Sequence, residues 1–86
     1  GLNLMLLSVP EGDDKPLKYP LMFQKSDALV ITKIDALPFF DFDLTKCIER
    51  ALRLNPTIQI FPVSAKTGEG MNALETWLTD CLKEYK

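Results

Sequence analysis

Ala28-Leu29-Val30-Ile31-Thr32-Lys33-Ile34-Asp35 decides the fold of this chain. A continuous apolar run that breaks off into Thr, Lys and Asp reads as a strand buried on both faces, delivering polar side chains at its carboxyl end. A second junction of this kind follows. Thr57 to Val63 is strand-like, and Ser64-Ala65-Lys66-Thr67-Gly68-Glu69-Gly70 comes straight after it. The stretch from the first strand to the second is about that of one strand–helix–strand unit, roughly 30 residues. Such a crossover makes the strands parallel, and its hand is right-handed.

Reading outward, Leu4 to Val9 is another short apolar run and predicts a strand buried on both faces. Pro10-Glu11-Gly12-Asp13-Asp14 ends it with turn residues. Pro16 and Pro20 rule out a long helix over Lys15 to Lys25, but Pro20 suits the first position of a short one. Leu21, Met22 and Phe23 would then cover the sheet. Pro38 to Asp43 is a loop rich in Phe. Asp43 is the candidate N-cap of a helix from Leu44 to Leu54, with Leu44, Cys47, Ile48, Ala51 and Leu52 on one face. Lys46 stands where a capping box would want Glu, and Asn55-Pro56 stops the helix. Thr57 to Val63 alternates more than the other runs and contains Pro62, which places it at an edge. A last helix spans about Met71 to Glu84, its stripe formed by Met71, Leu74, Leu78, Cys81, Leu82 and Tyr85, with Trp77 at the margin. The expected class is α/β: a three-layer parallel sheet with helices.

Composition narrows the function. The 86 residues are 47% hydrophobic and 26% charged, as in an ordinary globular domain. A net charge of −2 gives no basic footprint for nucleic acid or anionic lipid. No apolar run approaches the ~20 residues of a membrane span. With no histidine, and with Cys47 and Cys81 far apart, a transition-metal site within this chain is not expected. Two isolated thiols fit a reducing, cytoplasmic compartment.

Ligands of open parallel sheets sit beyond the carboxyl ends of the strands, where both polar strings fall. A purine that presents a ring N–H beside an exocyclic amine matches one carboxylate, and that purine is guanine. Asp35 is the candidate acceptor. Lys33 can lay its methylenes on the base and keep its ammonium in water. Ala65 offers a backbone N–H to the guanine oxygen, Ser64 can hold the Asp35 carboxylate, and Gly68 and Gly70 let the loop turn tightly. No G-x-x-x-x-G-K-[ST] string that would cradle phosphates occurs in the chain.

Thr32-Lys33-Ile34-Asp35 resembles the [NT]KxD element of GTPases, and Ser64-Ala65-Lys66 their SAK element. The stretch Leu6-Leu7-Ser8-Val9-Pro10-Glu11-Gly12-Asp13-Asp14-Lys15-Pro16-Leu17-Lys18-Tyr19-Pro20-Leu21-Met22-Phe23 is similar to a signature of the HypB family, the hydrogenase nickel-incorporation GTPases. Leu37-Pro38, Phe42-Asp43, Asn55-Pro56 and Ser64 to Met71 continue that likeness. The resemblance implies a P-loop GTPase-like fold of which residues 1–86 are the C-terminal part, without the phosphate-loop half. It implies that Thr32, Lys33, Asp35, Ser64, Ala65 and Lys66 line a pocket for the base of GTP or GDP. For the intact protein it implies Mg²⁺ and nickel held by residues outside this chain, a homodimer, and work with hydrogenase maturation factors and the hydrogenase large subunit. Thr32 stands where the family more often has Asn, which weakens the bracing of that loop. Glu11 to Pro16 reads equally as a subunit contact or a solvated turn. Two other readings stay open: a non-catalytic α/β interaction or dimerisation module anchored by Phe39, Phe40 and Phe42, and a related metallochaperone GTPase with another client. A parallel strand at Leu4–Val9 without a second neighbour predicts self-association.

Overall fold

The apolar runs become three parallel strands, β1 (Leu4–Ser8), β2 (Ala28–Thr32) and β3 (Gln59–Pro62), side by side in that order. The computed structural model describes residues 2–84. Leu4 pairs with Ala28 and Ser8 with Thr32, while Ala28 to Ile31 pair with Gln59 to Pro62. The register brings the carboxyl ends of all three strands to one edge. β2 is central, and Ala28, Leu29, Val30 and Ile31 are all buried.

Proline placement divides the first crossover into α1 (Lys15–Lys18) and α2 (Pro20–Lys25), with Tyr19 between them. The second crossover is α3 (Leu44–Leu54), and the chain continues into α4 (Met71–Glu84). Asp43 caps α3, its Oδ1 accepting the Lys46 N–H at 3.0 Å. Beyond the other end of α3, the Asn55 side-chain amide donates to the carbonyls of Phe23 (3.1 Å) and Ser26 (2.8 Å), tying it to the end of α2.

One layer of helices covers the face of Met5, Leu7, Leu29 and Ile31. Phe23 of α2 and Cys47 and Ala51 of α3 pack there. Each large side chain buried in this layer contributes about 1.5–3 kcal/mol. α4 lies on the other face, where Trp77 meets Phe61 with ring centroids 5.4 Å apart. Helices on both faces of a parallel sheet make the expected three-layer α/β arrangement.

Several local expectations change. β1 ends at Ser8, and Val9–Glu11 is a 3₁₀ turn. Burial on β1 is one-sided: Leu4 and Leu6 are 43% and 63% exposed, because α4 covers the β3 side of their face. Leu21 and Met22 are exposed, and only Phe23 of that trio enters the core. Ile34–Phe39, partly read as loop, is a second 3₁₀ turn. β3 is shorter than Thr57 to Val63, although the Val63 N–H still donates to the Ile31 carbonyl at 2.7 Å. Leu52 and Leu82 stand exposed at the margins of their stripes. Tyr85, assigned to the α4 stripe, lies outside the described residues. Cys47 is fully buried. Desolvation, with a smaller push from the Asp13 charge, raises its thiol to about 11. Among the described residues, no helix is long and apolar enough to cross a membrane.

Candidate functional site

Lys33 turns the chain at the end of β2. Its φ of 60° and ψ of 39° are left-handed, the one positive φ among described non-glycine residues. That conformation costs an L-residue roughly 1–2 kcal/mol. The turn brings the Ile34 N–H to the Val63 carbonyl at 3.2 Å, joining the two loops at their roots. Asp35, next in the 3₁₀ turn, then faces the second loop.

The second loop is closed by its own backbone. Ser64 N–H donates to the Glu69 carbonyl (2.9 Å) and Gly68 N–H to the Ser64 carbonyl (2.8 Å). Gly70 sits against β3 with φ +75°, and a Cβ there would lie 2.2 Å from the Pro62 carbonyl oxygen. Only glycine fits that approach. Ser64 is fully buried; its Oγ accepts the Thr67 N–H at 3.2 Å and donates to Asp35 Oδ1 at 2.7 Å. The hydroxyl is therefore directed at Asp35 and holds one of its two carboxylate oxygens. Among the described residues, nothing donates to Asp35 Oδ2, and the Ala65 N–H finds no acceptor.

These groups line a cleft of about 580 Å³. Thr32, Lys33, Asp35, Ala65 and Lys66 form its polar rim, and Ser64 stands behind Asp35. The structure thus gathers all six residues singled out in the sequence at the carboxyl edge of β2 and β3. The apolar floor of Leu6, Val30, Val63, Met71 and Leu74 was not singled out as part of a site. Its signal was present, since alternate residues of β1 and β2 must share one face. The cleft offers an anionic acceptor, an open backbone donor and two lysines around an apolar slot, a set that suits a flat heterocycle with donors on one edge and an acceptor beside them.

Glu11 stands at the neighbouring strand end. It accepts from the Ser8 N–H (2.7 Å) and hydroxyl (2.9 Å) and pairs with Lys15 at 3.1 Å. The Ser8 backbone bond, then Lys15 and the Ser8 hydroxyl, lower its carboxyl to about 2. The turn that follows is not merely solvated: Asp13 Oδ2 accepts the Asp43 N–H, and Arg50 donates to the Asp13 carbonyl at 3.1 Å. Among the described residues, no three His, Cys, Asp or Glu side chains cluster as metal ligands.

No family model matches the chain. Individual proteins do. The hydrogenase maturation factor HypB of Rhizobium leguminosarum bv. viciae is 53% identical over 76 residues, 88% of this chain and 25% of that protein. This is HypB-family sequence. The chain spans about a quarter of the length of the first curated HypB relatives it matches. Two solved HypB structures share its fold. HypB from Helicobacter pylori in complex with nickel is 39% identical, with a TM-score of 0.89 over 98% of this chain and 39% of that one. HypB from Archaeoglobus fulgidus is 30% identical, with a TM-score of 0.88 over 92% of this chain and 42% of that one.

Proposed function

We propose that the chain is the guanine-reading portion of a HypB-type GTP-binding domain. The observation that carries this reading is the pairing of Asp35 with buried Ser64, which leaves one carboxylate oxygen open beside the open Ala65 N–H. Guanine places N1–H and the N2 amine against Asp35 and its O6 against Ala65. Lys33 and Lys66 flank the base, and Thr32 supports the first loop. Adenine has no matching donors and leaves the carboxylate unpaired, which disfavours it by a factor on the order of 10⁴ in a site built for hydrogen bonding.

The intact protein, in this proposal, is cytoplasmic, hydrolyses GTP with Mg²⁺ and helps insert nickel into [NiFe]-hydrogenase with its maturation partners. The hydrogenase-maturation names of the relatives and the nickel complex of the H. pylori protein support this. Phosphoryl transfer needs positioned amides, a lysine and Mg²⁺ around the γ-phosphate. This chain contains no phosphate-cradling string, so it reads the base without turning over GTP. Phe39 and Phe40, 81% and 46% exposed beside the site, suit the contact surface of a homodimer, whereas Phe42 belongs to the core.

The test is ligand-observed saturation-transfer NMR on the 86-residue chain with soluble GMP and AMP. GMP binds in the millimolar range, AMP does not, and Asp35→Ala abolishes the signal. Equal binding of both nucleotides, or GMP binding that survives Asp35→Ala, defeats the reading.

A further inference from the structure

The segment from Lys33 to Asp43 carries Asp35 from the end of β2 to the start of α3. Its near end is held by the Ile34–Val63 backbone bond and by the Ser64–Asp35 bond. Pro38 to Asp41 then run exposed, and Phe39 is 81% exposed. The far end is caught again at Phe42, which enters the core, and at Asp43, whose N–H is accepted by Asp13.

Asp13 comes from the turn after β1, 30 residues earlier in the chain. It is itself held in place. Arg50 Nη1 donates to its carbonyl at 3.1 Å and lies 3.8 Å from its Oδ1, with both side chains about three-quarters buried. Upstream, Ser8 and Lys15 fix Glu11 in the same turn. The 3₁₀ turn at Val9–Glu11 packs along the one at Ile34–Phe39 that bears Asp35. The turn after β1 therefore lies beside the Asp35 segment as a strut and closes on its far end. The Asp13 carboxylate also meets the positive end of the α3 dipole, where the first helical turn has no acidic residue of its own.

We infer that Asp13 is a positioning residue for base reading: by accepting the Asp43 N–H, it fixes the far end of the Asp35 segment and so the aim of the Asp35 carboxylate. The inference rests on the guanine reading proposed above and adds a residue that touches neither base nor phosphate. Its physical basis is tolerance. Two parallel hydrogen bonds accepted by one carboxylate require placement within about 0.5 Å and 10–20°. A single bond tolerates more.

The experiment compares GMP with IMP, which keeps the ring N–H but lacks the amine, by saturation-transfer NMR on the 86-residue chain. The wild-type chain prefers GMP by about tenfold or more, the weight of one charge-assisted bond. Asp13→Ala lowers that preference at least threefold and changes IMP binding little. Asp13→Asn, which keeps an oxygen acceptor for the Asp43 N–H, restores it. Asp13→Ser replaces the alanine variant if that variant fails to fold, because its hydroxyl falls short of the Asp43 N–H. A merely structural role weakens GMP and IMP equally. An unchanged GMP-to-IMP ratio in Asp13→Ala, or in the serine variant, therefore overturns the inference. If the wild-type chain fails to prefer GMP over AMP, it is the guanine reading that falls.

Discussion

Replacing Asp35 by Asn exchanges one carboxylate oxygen for an NH₂ and reverses the logic of the site. In the native chain the Ser64 hydroxyl donates to Asp35 Oδ1 at 2.7 Å and accepts from the Thr67 N–H. Ser64 is fully buried, so turning the hydroxyl round would leave its hydrogen without an acceptor among the described residues. An asparagine at this position must therefore keep its carbonyl oxygen toward Ser64 and place its NH₂ where Oδ2 was. That NH₂ faces the guanine amine, donor against donor. The variant loses one charge-assisted bond, about 1.5–3 kcal/mol, and leaves an unpaired donor that costs about 1–3 kcal/mol more. The sum, roughly 2.5–6 kcal/mol, is a loss on the order of 10²–10⁴ in GMP affinity. Xanthine carries a carbonyl where guanine has the amine, so it accepts from the new NH₂ while its ring N–H still meets the amide oxygen. Saturation-transfer NMR with GMP and XMP on both chains reads the exchange: GMP binding disappears and XMP binding emerges. A variant that binds GMP within threefold of the native chain, or that gains nothing for XMP, refutes the assigned geometry.

Other perturbations follow from the same contacts. Gly70→Ala drives a Cβ into the Pro62 carbonyl and should lower the unfolding midpoint and GMP binding together. Gly68→Ala meets no atom within 4 Å and should cost only the left-handed strain of about 1 kcal/mol; equal melting of the two variants contradicts this. Asp43→Ala removes the α3 cap and should destabilise the chain by about 1 kcal/mol in urea titration. Glu11 is a group whose folded pKa, about 2, lies below its unfolded value. Its contribution is fully present above about pH 4.5 and falls away as pH drops toward 2, so Glu11→Gln should flatten the stability curve in that window and leave its slope at pH 7 unchanged. Cys47, raised to about 11 by burial, should resist thiol reagents at pH 8 unless the chain is unfolded by denaturant.

Much of the framework was legible because local signals agreed. Asp43 at the N-cap and Asn55-Pro56 at the stop bound α3 correctly, and the two prolines between Lys15 and Lys25 forced a broken first crossover. The residues of the cleft were legible for a different reason: a strand places whatever follows it at the sheet edge, and both polar strings follow strands. What stayed hidden was non-local. A continuous apolar run looks the same whether one face or both are covered, so the exposure of Leu4 and Leu6 could not be read from β1 alone. The Asp13–Asp43 contact joins residues far apart in the chain, and the charged turn from Glu11 to Pro16, read equally as a subunit contact or a solvated turn, gave no sign that one of its side chains turns inward onto the start of α3. The left-handed Lys33 carries no sequence mark at all, since its conformation is imposed by the Ile34–Val63 bond beyond it.

The exposed edge and open face of β1 bear on handling the chain. Leu6 is 63% exposed on a strand that, among the described residues, pairs with β2 alone, which should make the chain self-associate as its concentration rises. Sedimentation velocity over a dilution series reads this directly, and a sharp two-state melt of a dilute monomer would count against it.

The central claim is that one carboxylate reads the donor edge of guanine, and a crystal structure of the chain grown with GMP tests it most directly. The account predicts the base in the cleft between the two loops, with N1 and N2 each about 3 Å from Asp35 and O6 facing the Ala65 N–H. A base seated elsewhere, or seated in that cleft with its N1–N2 edge turned away from Asp35, contradicts it.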